Sequence, residues 1–155
     1  MKTLWIHLLI GFCLLAATSS YATEKATKEE CMAMCRKAVA LAQEKNVEEM
    51  IAQVADPNGP FVWKDTYLYI IDLNTKFVVA HPIRPNLINR DMSGLKDING
   101  KMFFVEMFNI ALDKGEGWLD YMWPKPGENK PSSKSTFVLR VPDQPYAVMS
   151  GIYND

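Results

Sequence analysis

The stretch Gly117-Trp118-Leu119-Asp120-Tyr121-Met122-Trp123-Pro124 decides how the rest of this chain is read. It is rich in β-forming aromatics, and side chains alternate along a strand, so Tyr121 and Trp123 share one face. A loop rich in Pro, Gly and Lys separates it from a second strand, Ser135 to Val141, and the tight turn Pro142-Asp143-Gln144-Pro145 leads to a third, Tyr146 to Tyr153. Lys134 stands at the start of the middle strand, on the face it shares with Thr136, Val138 and Arg140. Three strands with short connections run antiparallel.

Reading outward, Thr66-Tyr67-Leu68-Tyr69-Ile70-Ile71-Asp72 and Phe77-Val78-Val79-Ala80-His81 flank the turn Asn74-Thr75 and form a hairpin. Pro82, Pro85 and the polar segment from Asn86 to Asp97 form an irregular excursion with at most one helical turn near Asn86 to Asn89. Lys101 to Lys114 reads as a helix ended by Gly115. From Lys25 to Val54, apolar residues recur at Met32, Cys35, Val39 and Ala42, then at Val47, Met50, Ile51 and Val54, which is an amphipathic stripe. Thr27 and Glu30 have the spacing of a capping box, Asn46 marks a break, and Asp56-Pro57-Asn58-Gly59-Pro60 stops the helix. The order predicts an α+β domain, a five-stranded antiparallel sheet with one face against helices.

The N-terminus predicts export. Met1-Lys2 supplies a positive start, an apolar run of about 14 residues follows (too short to span a bilayer), and Ser20 and Ala22 suit cleavage before Thr23. Phe12 before Cys13 argues against lipidation. Removing residues 1–22 leaves 133 residues, one domain's worth, with 16 Lys and Arg against 18 Asp and Glu. That balance offers no basic field to nucleic acid or an anionic membrane. No further segment approaches spanning length, so no membrane insertion is expected after cleavage. Cys31 and Cys35 then remain, four residues apart on one helix face; they can close a strained local disulfide, act as a redox pair, or stand as two incidental thiols. No metal cluster, haem site, P-loop, dinucleotide loop, nucleophile elbow or HExxH is present, so neither a cofactor nor an enzyme is expected.

Chemistry gathers in the strands instead. A lysine at a strand start with tyrosine and tryptophan opposite suits a small anion, since the aromatics wall off water, the phenol donates a hydrogen bond and the ammonium supplies charge. The series Tyr69-Ile70-Ile71-Asp72, Val79-Ala80-His81-Pro82, Asn86 with Leu87, Gly94-Leu95-Lys96-Asp97, Gly100-Lys101, the Gly117–Pro124 stretch, Lys134-Ser135 and Gly151-Ile152-Tyr153 resembles the single cache domain. These are PAS-like extracytoplasmic sensor modules (the resemblance is to the type 2 form) of chemoreceptors and histidine kinases.

The resemblance covers roughly Thr27 to Tyr153, and the Gly-Trp-x-x-Tyr-x-Trp-Pro strand with the following Lys-Ser is its most specific part. It implies a long N-terminal helix packed on a curved antiparallel sheet, with small ligands, often short carboxylates, held between the sheet and its helical excursion. By position it implies Tyr121, Trp123, Lys134 and His81 as ligand-binding residues, with Tyr69 and Tyr146 as weaker transfers. Because the sequence stops at Asp155, it resembles a stand-alone, secreted form of the module, periplasmic or exported. The expectation is a sensor domain for a short carboxylate that feeds chemotaxis or signal transduction through a partner. The alternative is an accessory subunit that dimerises, or docks on a membrane receptor, through its N-terminal helix.

Overall fold

The computed structural model of the protein describes residues 24–154; the expected signal peptide lies outside the described residues. Helix α1 (Lys28–Glu44) starts with the capping box read from the sequence: Thr27 Oγ1 accepts from the Glu30 amide and the Glu30 carboxylate accepts from the Thr27 amide. Two amides that a helix start leaves unpaired are thereby satisfied. The break at Asn46 is a second N-cap, its side-chain oxygen accepting from the Glu49 amide at 2.7 Å to begin α2 (Val47–Ala55).

The chain then forms β1 (Val62–Trp63), β2 (Thr66–Asp72) and β3 (Val78–Ala80). One 3-10 turn, Pro85–Leu87, interrupts the excursion. Helix α3 (Phe103–Asn109) continues as a π-helical turn, Ile110–Lys114, and Gly115 ends it at φ 76°. The last three strands are β4 (Glu116–Pro124), β5 (Pro131–Arg140) and β6 (Tyr146–Tyr153). The sheet is antiparallel in the order β1-β2-β6-β5-β4, with β3 also pairing along β2.

The sheet has six strands where the sequence pattern suggests five. The added strand, β1, is two residues long and turns into β2 through Lys64-Asp65, with Lys64 at φ 49°. Such a turn usually announces itself as Asn-Gly. Here Lys64 is held by ion pairs to Glu24 at 2.8 Å and Glu30 at 2.7 Å, partners that only the fold supplies. Strand β5 also begins earlier than expected, at Pro131, which pairs with Pro124 at the end of the ladder, where a missing amide does no harm. Lys134 therefore lies within the ladder, between Tyr121 of β4 and Tyr153 of β6.

Helices cover both faces of the sheet rather than the one expected. Strand β2 is buried through Ile71 with no polar alternation, the signature of a strand covered on both sides. Leu68, Ile70, Phe137 and Val148 meet α1 and α2, whereas Tyr67, Tyr69, Tyr121 and Met149 meet α3. Each large apolar side chain so buried contributes about 1.5–3 kcal/mol. The α1 face carrying Cys31, Cys35, Ala38 and Val39 is buried, with the helix packed along β6 and β5.

The disulfide that the i,i+4 spacing allows is not formed: Cys31 and Cys35 are separate, fully buried thiols. Both lie against Ser150 of β6, and burial raises both above the ordinary thiol value, Cys35 with a further push from Cys31. No helix among the described residues is long and apolar enough to cross a membrane.

Candidate functional site

On the α3 side of the sheet, the register sets Tyr121, Lys134 and Tyr153 in one row across three strands. Lys134 is 0 % exposed, and its Nζ makes no hydrogen bond to protein. It lies 4.3 Å from the ring centroid of Tyr67 and 4.8 Å from that of Tyr153. Burial opposes its charge, but the phenols of Tyr67, Tyr121 and Tyr153 outweigh that and hold the amine above the ordinary lysine value. An ammonium ion is therefore kept in a dry layer by ring faces and phenol dipoles.

Two of the surrounding phenols each accept a hydrogen bond from a neighbour and keep their own proton to offer. Thr136 Oγ1 donates to the Tyr121 oxygen at 3.1 Å, which leaves the Tyr121 proton to Tyr69, 3.4 Å away, or to a ligand. Trp123 Nε1 donates to the Tyr67 oxygen at 3.1 Å, so the Tyr67 proton is likewise unspent. Desolvation raises Tyr69 and Tyr121, keeping both protonated. His81 accepts the Arg84 amide on Nδ1 at 3.0 Å, so the neutral ring carries its hydrogen on Nε2. The imidazole packs against Tyr67 at 4.8 Å and Tyr69 at 5.4 Å.

Burial first, then the charges of Lys134 and Arg84, lower His81 to about 3. Its unfolded counterpart titrates near 6.5, so as pH falls the unfolded chain gains its proton first. Stability from this residue is therefore flat above pH 6.5 and is expected to fall towards pH 3, by up to about 1.4 kcal/mol per pH unit. Urea unfolding between pH 7.5 and 4 should show the decline, and His81→Gln should flatten it. An unchanged slope in that variant would assign the decline to other groups.

These residues close a cavity also lined by Leu87 of the 3-10 turn and by Phe103 and Phe104 of α3. Phe103 stacks on Tyr121 with centroids 4.4 Å apart and planes 6° from parallel. Asp97 fastens the excursion over the sheet: its carboxylate accepts from the Asn99 and Lys101 amides, both at 2.9 Å, and from the Met122 amide of β4 at 3.0 Å. The cavity's volume open to the centre of a water molecule is about 10 Å³. That is room for about one water.

Of the residues singled out from the sequence, Tyr69, His81, Tyr121 and Trp123 line the cavity together. Lys134 stands one layer behind them, against Tyr67. Tyr146 does not join them: it is half-buried in the cluster on the α1 side and pairs with Asp72. Tyr146 and Tyr153 are seven positions apart on one strand, an odd number, so they point to opposite faces and Tyr153 is the one at the site. Tyr67, missed in the sequence, was legible by the same parity, two residues before Tyr69. The roles of Phe103 and Leu87 depend on how the excursion folds back, which no local pattern encodes.

The Cache domain family model matches residues 21–155. The chain belongs to the Cache domain family. It is 34% identical over 91 residues to the methyl-accepting chemotaxis protein McpP of Pseudomonas putida, an alignment that takes in 59% of this Cache chain and spans 16% of that relative's length. Among solved structures it is similar to a Cache chemosensory domain studied for carboxylic acid recognition, with 27% identity, a TM-score of 0.69, and coverage of 82% of this chain and 92% of that one. It is also similar to the periplasmic sensor domain of a chemotaxis protein, with 31% identity, a TM-score of 0.65, and coverage of 82% and 90%. This Cache chain is thus homologous to sensory, ligand-binding domains of chemotaxis receptors.

Proposed function

We propose that this Cache protein is a periplasmic sensor that captures a two- to four-carbon carboxylate and passes the event to a partner in chemotaxis or signal transduction. The observation that carries this reading is Lys134, a wholly buried cation with no carboxylate partner and no hydrogen bond to protein, set among neutral phenols. A carboxylate supplies what this set lacks: one negative charge and up to four lone-pair directions, matched to the ammonium, the Tyr67 and Tyr121 hydroxyls and the His81 Nε2–H. In a dry site such pairing is stronger than in water. The similarity to a domain studied for carboxylic acid recognition supports the same ligand class.

Size narrows it. The closed cavity has room for about one water, and its aromatic wall accepts only a short apolar tail. Because the cavity is nearly filled and Tyr67 stands between it and Lys134, binding moves the Tyr67 ring and widens the space. Nothing in the donor set supplies a nucleophile or a general base at neutral pH, so the site is fitted to hold its ligand rather than transform it.

Calorimetry with acetate, propionate, butyrate, succinate and propionamide tests the reading. At least one carboxylate is expected to bind, with propionamide at least about tenfold weaker than propionate, since it lacks the charge. Equal affinity for acid and amide, or no heat from any compound, would overturn it.

A further inference from the structure

We propose that the cavity opens at the Leu87–Trp123 seam and that Arg84 is the latch that holds it shut. This rests on the carboxylate-binding reading for its ligand. Of the eight lining residues, the six others are buried to 5 % exposure or less, and only Leu87 and Trp123 reach the surface. The same two residues also line an outer groove of about 400 Å³ with Arg90, Met92 and Leu95. One pair of side chains thus separates the enclosed site from solvent.

The walls differ in how firmly their backbones are held. The sheet ladder fixes the backbones that carry Tyr67, Tyr69, Tyr121 and Trp123, and Phe103 stacks on Tyr121. Leu87 sits on a three-residue 3-10 turn whose own amide bonds are local, Leu87 to the Arg84 carbonyl at 3.0 Å and Ile88 to the Pro85 carbonyl at 3.1 Å, its anchor to β3 coming only after it, from the Asn89 amide to the Val78 carbonyl at 2.9 Å. Short turns of this kind open at low cost.

Arg84 spans the seam. Its guanidinium lies 5.5 Å from the Trp123 ring centroid and donates to the Glu128 carbonyl, in the β4–β5 loop, at 3.2 Å, while its backbone amide holds His81. One residue therefore ties the turn, the gate tryptophan and the facing loop together. The groove itself carries charges of both signs, Arg90 and Asp91. Arg84 acts through Trp123 and Leu87 and is a positioning residue.

Arg84→Met keeps the apolar stem and removes the head. In hydrogen exchange without ligand, the Leu87 and Ile88 amides of this variant should exchange about tenfold faster, as expected from losing one hydrogen bond and one cation–π contact, while β2 and β6 amides keep wild-type rates. Unchanged exchange at Leu87 and Ile88 overturns the latch. If exchange rises through the whole sheet instead, Arg84→Lys, which keeps charge but not the planar fork, decides by the same criterion.

Stopped-flow with propionate reads the second arm: association and dissociation should both quicken about tenfold, with Kd changing less than about threefold. A loss of affinity carried by dissociation alone would make Arg84 a ligand contact and overturn the latch. Failure of wild-type protein to bind any carboxylate sinks the functional reading, and the ligand-free exchange then decides the latch alone.

Discussion

Lys134→Met is expected to abolish carboxylate binding and, in the same protein, to stabilise the ligand-free fold. Taking an ammonium out of water costs several kcal/mol even after relaxation. The rings of Tyr67 and Tyr153 return part of that, up to about 2 kcal/mol each when desolvated. No hydrogen bond to protein and no carboxylate partner returns the rest. Methionine has a similar length and flexibility, fills the same layer between the two tyrosines, and brings no charge. We expect a gain of about 1–3 kcal/mol, read as an upward Tm shift of several degrees. Binding, in contrast, should weaken at least about a hundredfold, because a buried carboxylate loses its buried counter-charge. The two results together separate a charge kept for a ligand from one kept for the fold. A variant destabilised by more than about 1 kcal/mol would assign Lys134 to the architecture, and retained propionate affinity would remove it from the site.

How much of this was legible in the sequence follows from which contacts are local. The capping box at Thr27 and Glu30, the second cap at Asn46 and the strands Thr66–Asp72 and Tyr146–Tyr153 depend on neighbours within a few residues, and the structure reproduces them. Strand β1 does not, because its turn residue Lys64 is held by Glu24 and Glu30, which lie far from it in sequence. The start of β5 was obscured by Pro131, Ser132 and Ser133, which look like loop until they are paired with Pro124, Trp123 and Met122. That misplacement hid how deeply Lys134 is buried. At the site, face parity carried Tyr69, Tyr121 and Trp123, and applied throughout it would have replaced Tyr146 with Tyr153 and added Tyr67. The cavity's far wall and its mouth were beyond reach, since the excursion from Pro82 to Lys101 owes its course to long-range anchors such as Asp97 on the Met122 amide.

Gly151→Ala is expected to be among the most destabilising single-methyl additions in the described domain. Gly151 pairs with Thr136 across the β5–β6 ladder, and an added Cβ would fall inside the Ser135 carbonyl oxygen's contact radius and 2.8 Å from Thr136 Cα. Both are backbone atoms, so no side chain can swing away and the strands themselves must part. They are stitched on the other side as well: the Thr66 hydroxyl donates to the Gly151 carbonyl at 2.5 Å and the Ser150 hydroxyl to the Tyr67 carbonyl at 3.0 Å. Overpacking a well-packed core usually costs about 1–3 kcal/mol; with backbone on one side and a hydrogen-bonded strand on the other, about 3–5 kcal/mol is expected. That is a large part of a small domain's stability. Gly94→Ala is the control, since nothing lies within 4 Å of its added methyl, and it should stay within about 0.5 kcal/mol of wild type. Function should suffer beyond stability, because displacing Thr136 withdraws the hydroxyl that orients Tyr121 and shifts Lys134 two residues away on the same strand. At low temperature, where Gly151→Ala is still folded, propionate affinity should therefore remain reduced at least about tenfold, the scale of one misplaced hydrogen bond in a dry site. Urea unfolding within 1 kcal/mol of wild type would show that β5 and β6 separate cheaply here. Full affinity in the folded variant would show that the Tyr121–Lys134 row does not depend on the close approach that only glycine permits.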